Sequence, residues 1–162
     1  MSEKPAAGHA EPLDARRDAF ETAVVSACER ARIPLLALCR GAQLVCGLSG
    51  GRLTRQISSD NDHGGGTETF HTVQLRPGSR VWTAFAHAEQ IEVLSRHAVF
   101  IGTLGRSLDV TAWAADGTIE AFEAREWPCL GAIWHAEWAG PDRAPDLALF
   151  RWLVATAKRR AQ

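Results

Sequence analysis

The run Pro34-Leu35-Leu36-Ala37-Leu38-Cys39 is apolar at every position, with no alternation between water-facing and core-facing residues. A strand of this kind is covered on both faces. Before it, Asp14 offers an N-cap to a helix carrying Phe20, Val24, Val25, Cys28 and Ala31 on one stripe, and Pro34 forces that helix to end. After it, Ala42, Leu44, Val45 and Leu48 give a short helical face that Gly50 and Gly51 stop. Helix, doubly covered strand and helix in direct succession predict an α/β fold with helices on both faces of a sheet.

At 162 residues the chain has room for one domain with a substantial core. Residues 1–13 read as a polar arm and residues 14–162 as the domain. Eighteen basic against nineteen acidic residues leave no electrostatic footprint for nucleic acid or an anionic membrane. The apolar runs are strand-length, so no transmembrane span is expected, and a polar N-terminus without an apolar core predicts a cytoplasmic protein.

The segment Ser58 to Thr69, SSDNDHGGGTET, reads as an exposed loop. HTVQLRP and SRVWTAF read as two antiparallel strands about Pro77-Gly78, and Ser107–Ala114 with Thr118–Glu123 as another pair joined at Asp116-Gly117. CLGAIWHAEW reads as a further strand. Pro145 to Lys158 closes the chain as a helix using Leu149, Phe150, Leu153 and Val154.

Cys28, Cys39, Cys46 and Cys129 form no CxxC pair, so neither a zinc site nor a disulfide framework is suggested. The six histidines are scattered in sequence. None stands three or four residues from a second ligand on an obvious helix, so no metal site is assigned, and His63, His71 and His87 are expected at loop or surface-strand positions.

The chemistry concentrates at Ala37-Leu38-Cys39-Arg40-Gly41. A turn from buried strand to helix strains the residue at its apex and demands small neighbours two positions away on either side. Cys39 at that apex faces the unpaired amides of a helix N-terminus, which favour thiolate and supply the Arg40 N–H to an oxyanion. The alternative is a buried structural cysteine. In Trp134-His135-Ala136-Glu137-Trp138 an extended backbone would put His135 and Glu137 on one side, so the carboxylate could orient the imidazole as a base for Cys39. A strand-end histidine linked to a neighbouring acid is the other reading of that pair.

Taken together, RDAFE at Arg17, PLLALCRGAQLVCGLSGGRLTRQI from Pro34, HTVQLRPGS from His71, SRH at Ser95, ADGTIEAFE from Ala115 and LGAIWHAEW from Leu130 resemble the class I glutamine amidotransferase-like superfamily. Within it they are most similar to the gamma-glutamyl-gamma-aminobutyrate hydrolase type, peptidase family C26. The resemblance covers nearly everything after residue 14. It implies a three-layer flavodoxin-like sheet with helices on both faces and a small antiparallel excursion, and no cofactor. It also implies that Cys39 attacks the δ-carbonyl of a small-molecule γ-glutamyl amide or glutamine to form a thioester, that His135 moves the proton and that Glu137 orients His135. Arg40, Gln43, Ser95 and His97 fall where relatives hold the glutamyl group.

The family's opening strand-helix-strand, with a glycine-rich loop that gives a second oxyanion amide, has no counterpart in this sequence. One such donor is worth about 10²–10³ in kcat. The expectation is therefore a homodimer or partner subunit that covers the exposed sheet, or an upstream segment not in this sequence. Ala37, Ala98, Val99, Ile133 and Ala136 stand where the family has glycine, His, Gln, Gln and Pro. That loss of polar pocket groups leaves open a catalytically weak chain serving as a subunit of a larger complex.

Overall fold

The first helix, α1 (Ala15–Ala31), stops where the chain turns left-handed: Arg32 has φ 52°, and the Ile33 N–H donates to the Cys28 carbonyl at 2.8 Å. That bond closes the helix ahead of Pro34. The computed structural model describes residues 15–55, 63, 68–138 and 147–161. The expected arm, the Asp14 cap, nearly all of the polar loop and Pro145 lie outside them.

Strand β1 (Leu35–Leu38) follows, and Cys39 begins α2 (Arg40–Leu48). Gly50 at φ 82° and a Gly51 N–H bond to the Cys46 carbonyl, 2.9 Å, terminate α2 as the two glycines predict. Beyond lie β2 (Arg52–Thr54), β3 (Thr69–Leu75), α3 (Arg80–Ala84), β4 (Gln90–Ser95), β5 (Phe100–Thr103), β6 (Leu108–Ala114), β7 (Ile119–Ala124) and β8 (Cys129–Ala132). A 3₁₀ turn at Ala136–Trp138 and the helix α4 (Leu147–Arg160) follow.

Among the described residues these strands form one mixed sheet in the order β1-β8-β7-β6-β3-β4, with β5 beside β7 and β2 beside β5. Only β1 and β8 run parallel, pairing Leu35 with Cys129 through Leu38 with Ala132. The β6–β7 hairpin turns at Asp116-Gly117 as expected, Gly117 taking φ 86°. Two cores flank the sheet. Val81 and Phe85 of α3 and Leu149 of α4 close one with Val73, Leu130 and Trp134; Val25 of α1 and Ala42, Val45 and Cys46 of α2 close the other with Phe122 and Ile133. Helices on both faces of a sheet make a three-layer arrangement.

Three expectations are corrected. SRVWTAF is a helix, not a strand: Ser79 accepts the Trp82 N–H at 3.0 Å, and Val81 and Phe85, one helical turn apart, are both buried. The stripe on α1 is not a core face. Phe20 is 69% exposed and Val24 is exposed too, while only Val25 is buried. Residues 20 and 24 share one face, and Val25 and Cys28 lie on a neighbouring one, which is the face that meets the body. The run after Leu130 leaves the sheet at Ala132, so His135 and Glu137 are not on an extended strand.

Candidate active site

Cys39 sits at the apex between β1 and α2 with φ 45° and ψ −107°, a left-handed conformation costly for a residue with a Cβ. Its N–H donates to the Ala132 carbonyl of β8 at 2.8 Å, and its carbonyl accepts the Gln43 N–H at 3.0 Å, the first bond of α2. The helix thus begins directly at the half-buried Cys39, and the amides of its first turn have no partner within the helix. A Cβ placed on Gly41 would stand 3.7 Å from the Ala37 Cβ, so those two small positions face each other across the bend with room for little more.

β8 delivers the second group. His135 lies three residues past Ala132, the residue that holds Cys39, and three residues of chain reach no further than about 11 Å. The carboxyl ends of the two parallel strands therefore bring Cys39 and His135 to one edge of the sheet, where α/β folds place their sites. The His135 N–H donates to the Leu94 carbonyl of β4 at 2.8 Å. Its Nδ1 lies 2.6 Å from Glu137 Oε1, which leaves Nε2 as the free ring nitrogen. The Trp138 ring stacks on the imidazole at 3.6 Å with a 3° interplanar angle. The 3₁₀ turn, not an extended backbone, thus curls Glu137 and Trp138 around His135.

The other predicted site residues divide. The Arg40 guanidinium is engaged by Asp18 and Glu21 of α1, so its side chain anchors that helix and its backbone N–H is what remains for a ligand. Gln43 donates its side-chain amide to the Val99 carbonyl at 3.2 Å, a tie between α2 and the segment before β5. Ser95 and His97 turn inward: Ser95 is fully buried with Oγ 2.8 Å from His71 Nε2, and the His97 ring faces Glu120. What residues 95–97 present outward is Arg96, whose guanidinium lies 5.8 Å from the Trp138 ring centre.

His63, His71, His97 and Glu120 form a largely buried polar cluster behind this edge: His63 lies in a loop and His71 on a strand, as expected, but both are turned away from the surface. Of the three histidines expected there, His87 is the exposed one, stacked on Trp82. Four separate segments supply the cluster, so no sequence spacing announces it. The one legible signal is the period of HTVQL, which sets His71 on the side of the buried Val73 and Leu75. Burial raises the Glu120 carboxyl, but the facing His63 and His97 outweigh it and hold it below its ordinary range. For His63, burial opposes the charge, and Glu120 and Asp116 overcome it and raise the imidazole. His71, where burial dominates, is lowered.

Two surface grooves lie away from Cys39, one lined by Arg80, Trp127, Trp152 and Arg159 and one along α4 by Leu147, Phe150 and Val154. No helix among the described residues is long and apolar enough to cross a membrane.

Comparison with known proteins agrees with this architecture. Gamma-glutamyl-gamma-aminobutyrate hydrolase PuuD of Escherichia coli (strain K12) is 27% identical over 157 residues, covering 90% of this chain and 62% of the relative. Gamma-glutamyl-CDP-amidate hydrolase of Campylobacter jejuni is 31% identical over 125 residues, covering 77% of this chain and 53% of the relative. The chain thus spans less than two thirds of the length of these relatives. The glutaminase domain of Trypanosoma brucei CTPS superposes with a TM-score of 0.73 at 14% identity, covering 91% of this chain and 69% of that one, which shows a shared fold. The family model of Peptidase C26 matches residues 1–137, and the chain belongs to that family.

Proposed function

We propose that this chain hydrolyses a γ-glutamyl amide, or glutamine, through a thioester on Cys39. The observation that carries the proposal is the 2.6 Å His135–Glu137 contact at the end of the strand that also holds the Cys39 amide. Glu137 fixes the His135 tautomer with its proton on Nδ1, so Nε2 accepts the proton of the Cys39 thiol. The thiolate adds to the δ-carbonyl of the substrate, and the Arg40 N–H at the start of α2 stabilises the oxyanion. Collapse breaks the C–N bond as His135 returns its proton to the leaving amine. Water, deprotonated by His135, then attacks the thioester and releases the free γ-carboxylate, and the thiol is restored. PuuD and the Campylobacter hydrolase are named for γ-glutamyl substrates, which supports this substrate class.

The test is release of glutamate from glutamine and γ-glutamyl amides by the wild-type chain and by Cys39→Ala. Loss of at least about 10³-fold in the variant is expected. Equal rates in the two proteins would end the proposal.

A second reading is favoured by β1, which pairs on one side only among the described residues. Here the chain is a weakly catalytic subunit whose free sheet edge is covered by a second copy or another protein. Size-exclusion chromatography separates the readings: a stable, fully active monomer contradicts the subunit reading.

A further inference from the structure

From the convergence of His63, His71, His97 and Glu120 we propose that this chain holds one zinc-class divalent transition-metal ion, bound by three imidazoles and one carboxylate behind the Cys39 edge. The four donor atoms lie within 4.8 Å of one another. His63 Nδ1, His97 Nε2 and His71 Nε2 stand 3.0, 3.6 and 3.9 Å from Glu120 Oε1. A tetrahedral ion with bonds near 2.0–2.1 Å keeps its ligands roughly 3.3 Å apart, so these separations fall on either side of what an ion requires. Three borderline nitrogens with one carboxylate oxygen match zinc or cobalt rather than magnesium or calcium.

Two further observations favour a ligand here over a dry polar core. Glu120 is fully buried, His63 and His97 nearly so, and both Glu120 oxygens, His63 Nδ1 and both His97 nitrogens lack a well-formed hydrogen bond among the described residues. His63 Nδ1 stands 3.0 Å from Glu120 Oε1 without a well-formed hydrogen bond, its Nε2 being the nitrogen turned to Asp116. Unmet groups of this number are costly unless something joins them.

The other observation is the surrounding support. His63 Nε2, the nitrogen turned away from the cluster, lies 3.0 Å from Asp116 Oδ2, and Asp116 Oδ1 accepts the Thr118 N–H at 2.9 Å. A carboxylate on the far nitrogen is how metal-bound histidines are oriented. His71 directs Nε2 inward, 3.9 Å from Glu120 Oε1. With four protein ligands and no open position the site is structural, tying His63 to β3, β7 and the segment after β4. Binding would take His71 Nε2 from Ser95 Oγ, its present partner at 2.8 Å.

The experiment uses tag-free full-length chain, stripped with chelator and titrated with Co²⁺. One equivalent should produce the visible absorption of tetrahedral Co²⁺ without a sulfur-to-metal band, and Zn²⁺ should bleach it and raise Tm. Cys39→Ala should retain that spectrum, which separates this site from the thiol. His63→Asn and His97→Asn should each weaken binding by 10²-fold or more, and Asp116→Asn by about 10–100-fold. Absence of the tetrahedral spectrum in the wild-type chain overturns the proposal. So does its loss in Cys39→Ala, or its survival in both histidine variants. The titration of the wild-type chain decides the matter even if a variant fails to fold.

Discussion

Cys39 differs from the buried cysteines in ways that can be measured without a substrate. Burial pushes the Cys129 thiol up to about 12 and raises Cys46 as well, so neither forms thiolate near neutral pH. Cys39 is half-buried at a helix N-terminus. Peptide mass mapping after brief iodoacetamide treatment at pH 7.5 should find Cys39 modified well ahead of Cys46 and Cys129. Glu137→Gln keeps the size of the side chain but loses the charge that orients His135, and should lower kcat by about 10²–10⁴-fold with little change in KM. The Cys39 bend was legible in the sequence because strain, small neighbours and a following helix all leave marks in five consecutive residues. The His135–Glu137 contact was legible only as a pairing. Its geometry was not, since so short a stretch has no periodicity that tells a turn from a strand.

At the scale of elements, α1, α2 and the β6–β7 hairpin were readable because each carries its own stop: Pro34 for α1, Gly50 for α2 and Asp116-Gly117 for the hairpin. The segment at Ser79–Phe85 was misjudged because seven residues fit either period, and the deciding contact is the Ser79 cap. Ser79→Ala should therefore destabilise the chain by about 1 kcal/mol in urea titration, more than a surface serine would. β2, β4 and β5 are short or lack a regular pattern, and long-range pairing alone makes them strands. The closest packing within an element is at Gly131 of β8, where a Cβ would approach Phe122 Cζ to 2.2 Å. Phe122 is fully buried in the α1–α2 core and has nowhere to move. Gly131→Ala should cost about 1–3 kcal/mol by the same titration.

For the molecule as a whole, the buried His63–His71–His97–Glu120 cluster is what the sequence concealed, because four distant segments create it and burial becomes apparent only once the sheet is assembled. The exposed electrostatics are simpler. Arg125 lies 2.8 Å from Asp109 across the β6–β7 hairpin, and the guanidinium holds the Asp109 carboxyl below its ordinary value. A carboxyl depressed in the folded state contributes stability above its unfolded pKa and loses that contribution as pH falls through the folded one. The Tm gap between wild type and Asp109→Asn should therefore be small at pH 6, shrink towards pH 3 and shrink further in high salt.

The proposed function requires the sulfur of Cys39 and the imidazole of His135 to form one working site shaped for a γ-glutamyl group. The most direct measurement is covalent trapping with a γ-glutamyl diazo-ketone, read by intact mass and peptide mapping in wild-type chain and His135→Ala. A single adduct on Cys39 is expected, formed much more slowly in His135→Ala. No adduct, labelling spread over the other thiols, or equal rates with and without His135 would contradict it.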